Sequence, residues 1–155
     1  MTNEERERVF SLLCEMLEEQ AFLLPDALPE DQVFYPGNGL VVKLDAQGSR
    51  KCSMRVAIPD MVCDEIAENL LGCDSDDPEF PMMRRDAVGE LVNVLAGGLF
   101  YSVAGEEQRL SFGSPVVENL TESEWNDLTS AEGRITVDVG GSPLALDIAV
   151  EAAGV

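Results

Sequence analysis

The segments of this chain that read as β-strands come in pairs joined by short turns, and that arrangement restricts the fold more than any other feature. Gly39-Leu40-Val41-Val42-Lys43-Leu44 leads through a turn around Gln47-Gly48 into Cys52-Ser53-Met54-Arg55-Val56-Ala57-Ile58. Ile135-Thr136-Val137-Asp138-Val139 leads through Gly140-Gly141 into Leu144-Ala145-Leu146-Asp147-Ile148-Ala149-Val150, and a further short strand is expected at Leu110-Ser111-Phe112. Parallel neighbours need a crossover of about a dozen residues or more, whereas short turns force antiparallel pairing. The expectation is therefore an α+β fold: a largely antiparallel sheet with two long helices packed on one face.

The helices are bounded by capping and breaking residues. Thr2 followed by Glu5 is a capping-box pattern, and Val9, Phe10, Leu13, Met16 and Leu17 then recur at helical spacing up to about Phe22. Pro59-Asp60 opens a short helix carrying Val62, Ile66, Ala67 and Leu70, which Gly72 stops. A second long helix is expected from about Pro81 to Val103. The acidic loop before it, Asp74-Ser75-Asp76-Asp77, is no calcium loop, because Glu79 stands where an EF-hand needs glycine and Arg85 where it needs a bidentate glutamate. Trp125, in a polar stretch, is expected to cover an edge of the core.

At 155 residues the chain fits one domain, 1–155. Thirty acidic residues against ten basic ones give a net charge of −20, which leaves no basic patch for a phosphate backbone or anionic lipid. No nucleic acid and no membrane partner are expected. An acidic start, Met1-Thr2-Asn3-Glu4-Glu5, and the absence of an apolar run near the ~20 residues that span a bilayer point to the cytoplasm. The four cysteines lack metal-type pairing and there is no histidine, so catalysis falls to carboxylates, amides, hydroxyls or thiols. No metal and no cofactor bound by this chain are expected.

Residues 86–99 separate cleanly on a helical wheel. Val88, Leu91, Val92, Leu95 and Leu99 form a core stripe, and Asp86, Glu90, Asn93 and Gly97 fall opposite, flanked by Gly89 and Ala96. Glycine in a helix interior costs roughly 1 kcal/mol against alanine, so helix stability did not select this face. It reads as a low surface on which another backbone can sit, with two polar groups projecting. Residues three apart are neighbours, about 5–6 Å between Cβ atoms, so Glu90 and Asn93 reach one bound group.

The stretch Asp86-Ala87-Val88-Gly89-Glu90-Leu91-Val92-Asn93-Val94-Leu95-Ala96-Gly97 resembles the signature helix of the CheC/CheX chemotaxis phosphatases, Glu-x-x-Asn followed by a small-residue turn. Asn69-Leu70-Leu71-Gly72 upstream and the strand with Pro115-Val116-Val117 downstream are similar to that family's context. The resemblance implies hydrolysis of the aspartyl phosphate on a phosphorylated, CheY-like response regulator, whose own Mg²⁺ and lysine neutralise the phosphoryl oxygens. In it Asn93 orients the water, Glu90 pairs with the receiver lysine, and Asp86, Gly89 and Gly97 contact the partner. Two departures stand out: Gly98 occupies a position where the family often has a second Asn, and the first helix carries no Glu-x-x-Asn.

Gly98 and the acidity also suit a non-catalytic module that docks or sequesters a response regulator or flagellar-switch protein. A third reading is a structural adaptor whose helix face is a dimer contact. A homodimer through exposed sheet edges is expected in any case.

Overall fold

A computed structural model describes residues 1–151. In chain order the elements are α1 (Asn3–Ala21), β1 (Pro25–Ala27), a 3₁₀ turn at Glu30–Gln32, β2 (Gly39–Gln47), β3 (Lys51–Pro59), α2 (Asp60–Leu71), α3 (Phe80–Ala104), β4 (Ser111–Phe112), β5 (Val116–Asn119), α4 (Glu122–Thr129), β6 (Arg134–Val139) and β7 (Ser142–Val150). The seven strands form one antiparallel sheet in the order β1-β6-β7-β3-β2, with β4 and β5 sharing the far edge of β2. Both expected hairpins form, and β3 pairs with β7 to join them.

Local chemistry accounts for the boundaries. The Glu5 amide donates to Thr2 Oγ1 at 3.1 Å and the Thr2 amide donates to Glu5 Oε2 at 2.9 Å, a closed capping box. Accepting that backbone bond is the main reason the Glu5 carboxyl titrates below its ordinary range. At the other end Phe22 takes a left-handed conformation, φ 58°, and Phe22 and Leu23 donate back to Glu18 and Leu17, which ends α1. In the acidic loop, Asp74 and Asp77 accept the amides of Asp76 and Glu79, so these carboxylates close turns.

Strand alternation divides the core in two. Leu40, Val42 and Leu44 of β2, Met54, Val56 and Ile58 of β3, and Leu144, Leu146 and Ile148 of β7 face the layer of α1, α2 and α3. Val41, Ala57 and Ala145 point the other way, where Trp125 and Leu128 of α4 cover them. Trp125 thus lies over the central strands, within a second small core, rather than along an edge of the first. Two long helices do share one face as expected; the short α4 closes part of the opposite one.

One expectation requires correction. Helix α3, 25 residues, is long and apolar enough to cross a bilayer by length and composition, although no such run was expected. Its apolar character has a different use here, since it is buried against the sheet below and against α1 and α2 beside it.

Candidate functional site

The face of α3 opposite the core is the candidate site. Val88, Leu91, Val92, Leu95 and Leu99 are all buried, as the wheel requires, and they fix the rotation of the helix. That rotation leaves Asp86, Glu90, Asn93 and Gly97 exposed along its outer side. Side-chain bonds from α3 to other elements come, among the described residues, from Arg84 and Arg85 alone. Arg84 bridges to Asp60 and Asp64 of α2, both at 3.1 Å. Arg85 donates to the Val117 carbonyl at 2.5 Å and to Asn119 Oδ1 at 3.3 Å on β5. Both guanidinium groups are drawn sideways into the protein, so neither neutralises Asp86 or Glu90. Among the described residues those two carboxylates form no ion pair, and the Asn93 carboxamide makes no hydrogen bond.

The small residues divide into three environments. Gly97 is open: a Cβ there would meet nothing within 4 Å. Gly89 differs from the sequence expectation, because it is buried, and a Cβ would lie 3.3 Å from Val117 Cγ2. Its close approach is to β5 of its own chain, so it underlies the site instead of meeting a partner directly. Gly98 turns toward α1, where a Cβ would come within 2.9 Å of Met16 Sδ, and it lets the two long helices touch. Ala96 is likewise buried.

Sequence reasoning missed what flanks the stripe. Met82 and Val116 are large apolar side chains 69% and 52% exposed, and Val94 is 37% exposed beside Asn93. Leu24, Met61 and Phe22, away from this face, are exposed to a similar degree, so these side chains add apolar surface beside the polar pair without by themselves marking the face.

No cysteine belongs to this face. Cys63, in α2, is fully buried and donates toward the Ile58 carbonyl; burial pushes its thiol up to about 12, so it stays protonated and unreactive.

No family model matches the sequence, and no curated protein is a significant match to it. Solved structures do match. A chemotaxis protein CheX from Desulfovibrio desulfuricans superposes with a TM-score of 0.68 at 14% identity, over 96% of this chain and 99% of its own. CheX from Vibrio vulnificus gives 0.68 at 20% identity, over 96% and 97%. The fold is that of the CheX and CheC-like chemotaxis proteins. A third match, to the CheX–CheY–BeF₃–Mg²⁺ complex from Borrelia burgdorferi, has a TM-score of 0.59 at 17% identity over 96% and 97% of the two chains. Nearly the whole of this chain is spanned by that fold.

Proposed function

We propose that this chain is a cytoplasmic phosphatase that hydrolyses the aspartyl phosphate of a CheY-like response regulator, the whole chain acting as one domain and terminating chemotaxis or another two-component signal. The observation that carries the reading is the Glu90/Asn93 pair, exposed and unengaged on a rigid core helix. The CheX of like fold that is solved together with CheY supports the choice of partner.

A receiver brings its own Mg²⁺ and lysine to the phosphoryl oxygens, so the missing contribution is an oriented water for in-line attack. The Asn93 carboxamide orients it by hydrogen bonding, which requires positioning and no shifted pKa. Glu90 pairs with the receiver lysine and holds the complex in register; once desolvated, that pair is stronger than an exposed one. Asp86 adds a rim contact, and Gly97 admits the partner backbone.

The test is phosphate release from a Mg²⁺-loaded phosphorylated receiver. Asn93→Ala is expected to lower kcat about 100-fold or more while binding persists, and Glu90→Ala to act mainly on KM. Normal turnover by Asn93→Ala contradicts the reading. Gly98, turned to α1, leaves Asn93 as the single carboxamide on this face, which favours a second reading: a binding module that docks the receiver and hydrolyses nothing. Affinity for a receiver with no change in phosphate release would select that alternative.

A further inference from the structure

A recess lies away from the α3 stripe. It occupies about 830 Å³ between the first half of α1, the segment 27–33, the end of α4 and the start of β6. Strand β6 lies four strand spacings from β5 in the sheet, on the order of 19 Å, so this recess and the site on α3 are separate places. Phe10, Leu28, Val33 and Ile135 give it an apolar wall.

Its polar side is unusual for so acidic a chain. Arg6 and Arg134, two of only ten basic residues, both line it. Arg134 is matched by Glu30 at 3.1 Å. Arg6 is not matched: its guanidinium donates to the carbonyls of Arg134 and Glu132, the latter at 2.6 Å, and among the described residues no carboxylate pairs with it. Two of its five N–H donors are thus used on neutral acceptors that hold the fork still, and the others remain for a ligand. Glu7 also lines the recess without pairing to Arg6, and its charge disfavours a dianion more than a monoanion.

We propose that this recess binds a small amphipathic organic monoanion, with its apolar body against Phe10, Leu28, Val33 and Ile135 and its carboxylate or sulfonate on Arg6. The volume is that of a small-molecule site, and the lining sets one apolar wall against a more extensive polar side, which suits an amphipathic ligand better than a wholly apolar one. The orientation of Arg6 is set before any ligand arrives, which lowers the entropy lost on binding. The inference is independent of the phosphatase reading.

The test uses two probes on the full chain: 8-anilinonaphthalene-1-sulfonate followed by fluorescence, and sodium decanoate followed by calorimetry and by displacement of the dye. One site per chain is expected, with decyltrimethylammonium failing to displace the dye. Arg6→Gln should weaken both anions about tenfold or more, the size of one charge-assisted hydrogen bond. Because Arg6 also ties α1 to the carbonyls before β6, a second variant is needed. Ser11→Trp places bulk in the recess from an exposed position, and should reduce binding by a similar factor with an unchanged melting temperature. Absence of binding by the folded wild type, equal displacement by the cationic detergent, or unaltered binding in both variants would overturn the proposal.

Discussion

Three glycines within ten residues of α3 show how differently one residue type is used. Gly89 lies under Val117, Gly98 lies against Met16, and only Gly97 is open on all sides. Replacing Gly97 by alanine removes the helix penalty of glycine and adds no contact, so Gly97→Ala is expected to stabilise the protein by about 1 kcal/mol, or roughly 2–4 °C in melting temperature for a chain of this size. The same methyl group sits on the surface where a receiver backbone is proposed to dock, and affinity should fall as stability rises. A variant that melts higher and binds a BeF₃⁻-loaded receiver as tightly as before would show that Gly97 has no part in docking. From the sequence, Glu90, Asn93, Asp86 and Gly97 were legible because the apolar stripe fixes the wheel. Gly89 was not, since a wheel describes one helix in isolation and contains nothing about the strand laid along its flank.

At the scale of elements, β5 is the piece that connects the site to the sheet. It has four residues, pairs with Leu40–Lys43 of β2, and reaches α3 through Val117 on Gly89 and through the bonds from Arg85. A charged donor to a half-buried carbonyl is worth more than a neutral one, and Arg85→Ala should destabilise the fold by about 1–3 kcal/mol. Faster amide exchange confined to residues 116–119 and the facing part of β2 is the expected signature; protection unchanged there would show that the strand holds without its clamp. Apart from β4, expected at Leu110-Ser111-Phe112, such short elements are also the least visible in the sequence. Three-residue β1 is too short for any periodicity, and β5 offers little more in the sequence than a Pro-Val-Val string. Helix α4 does carry a start signal, Thr121 capping the Glu124 amide at 3.1 Å. With only Trp125 and Leu128 as buried residues it offers one apolar repeat, too little to separate a helix from a polar loop. The long elements were legible because each carries several apolar repeats and a cap or a turn at its ends.

For the molecule as a whole, the charge of −20 sets the sign of its response to salt. Added salt weakens ion pairs, which destabilises, and also screens repulsion among unpaired carboxylates, which stabilises. Among the described residues every ion pair is made by one of four cations: Lys43, Arg55, Arg84 and Arg134. Most of these pairs reach a partly exposed carboxylate, and exposed pairs contribute about 0–1 kcal/mol each. Against them stand thirty acidic side chains, most without a cation, confined in the folded state and able to separate in the unfolded one. Repulsion therefore outweighs pairing, and the melting temperature should rise as ionic strength goes from about 10 to 150 mM, where the screening length shortens from roughly 30 to 8 Å. A rise of roughly 2–4 °C, on the order of 1 kcal/mol, is the expected size. Sodium chloride and potassium chloride should act alike, because screening depends on ion valence and not identity. A fall with added salt would mean that the network of Arg55 with Asp127, at 2.7 Å, and Asp147, at 2.8 Å, dominates the electrostatics of the fold.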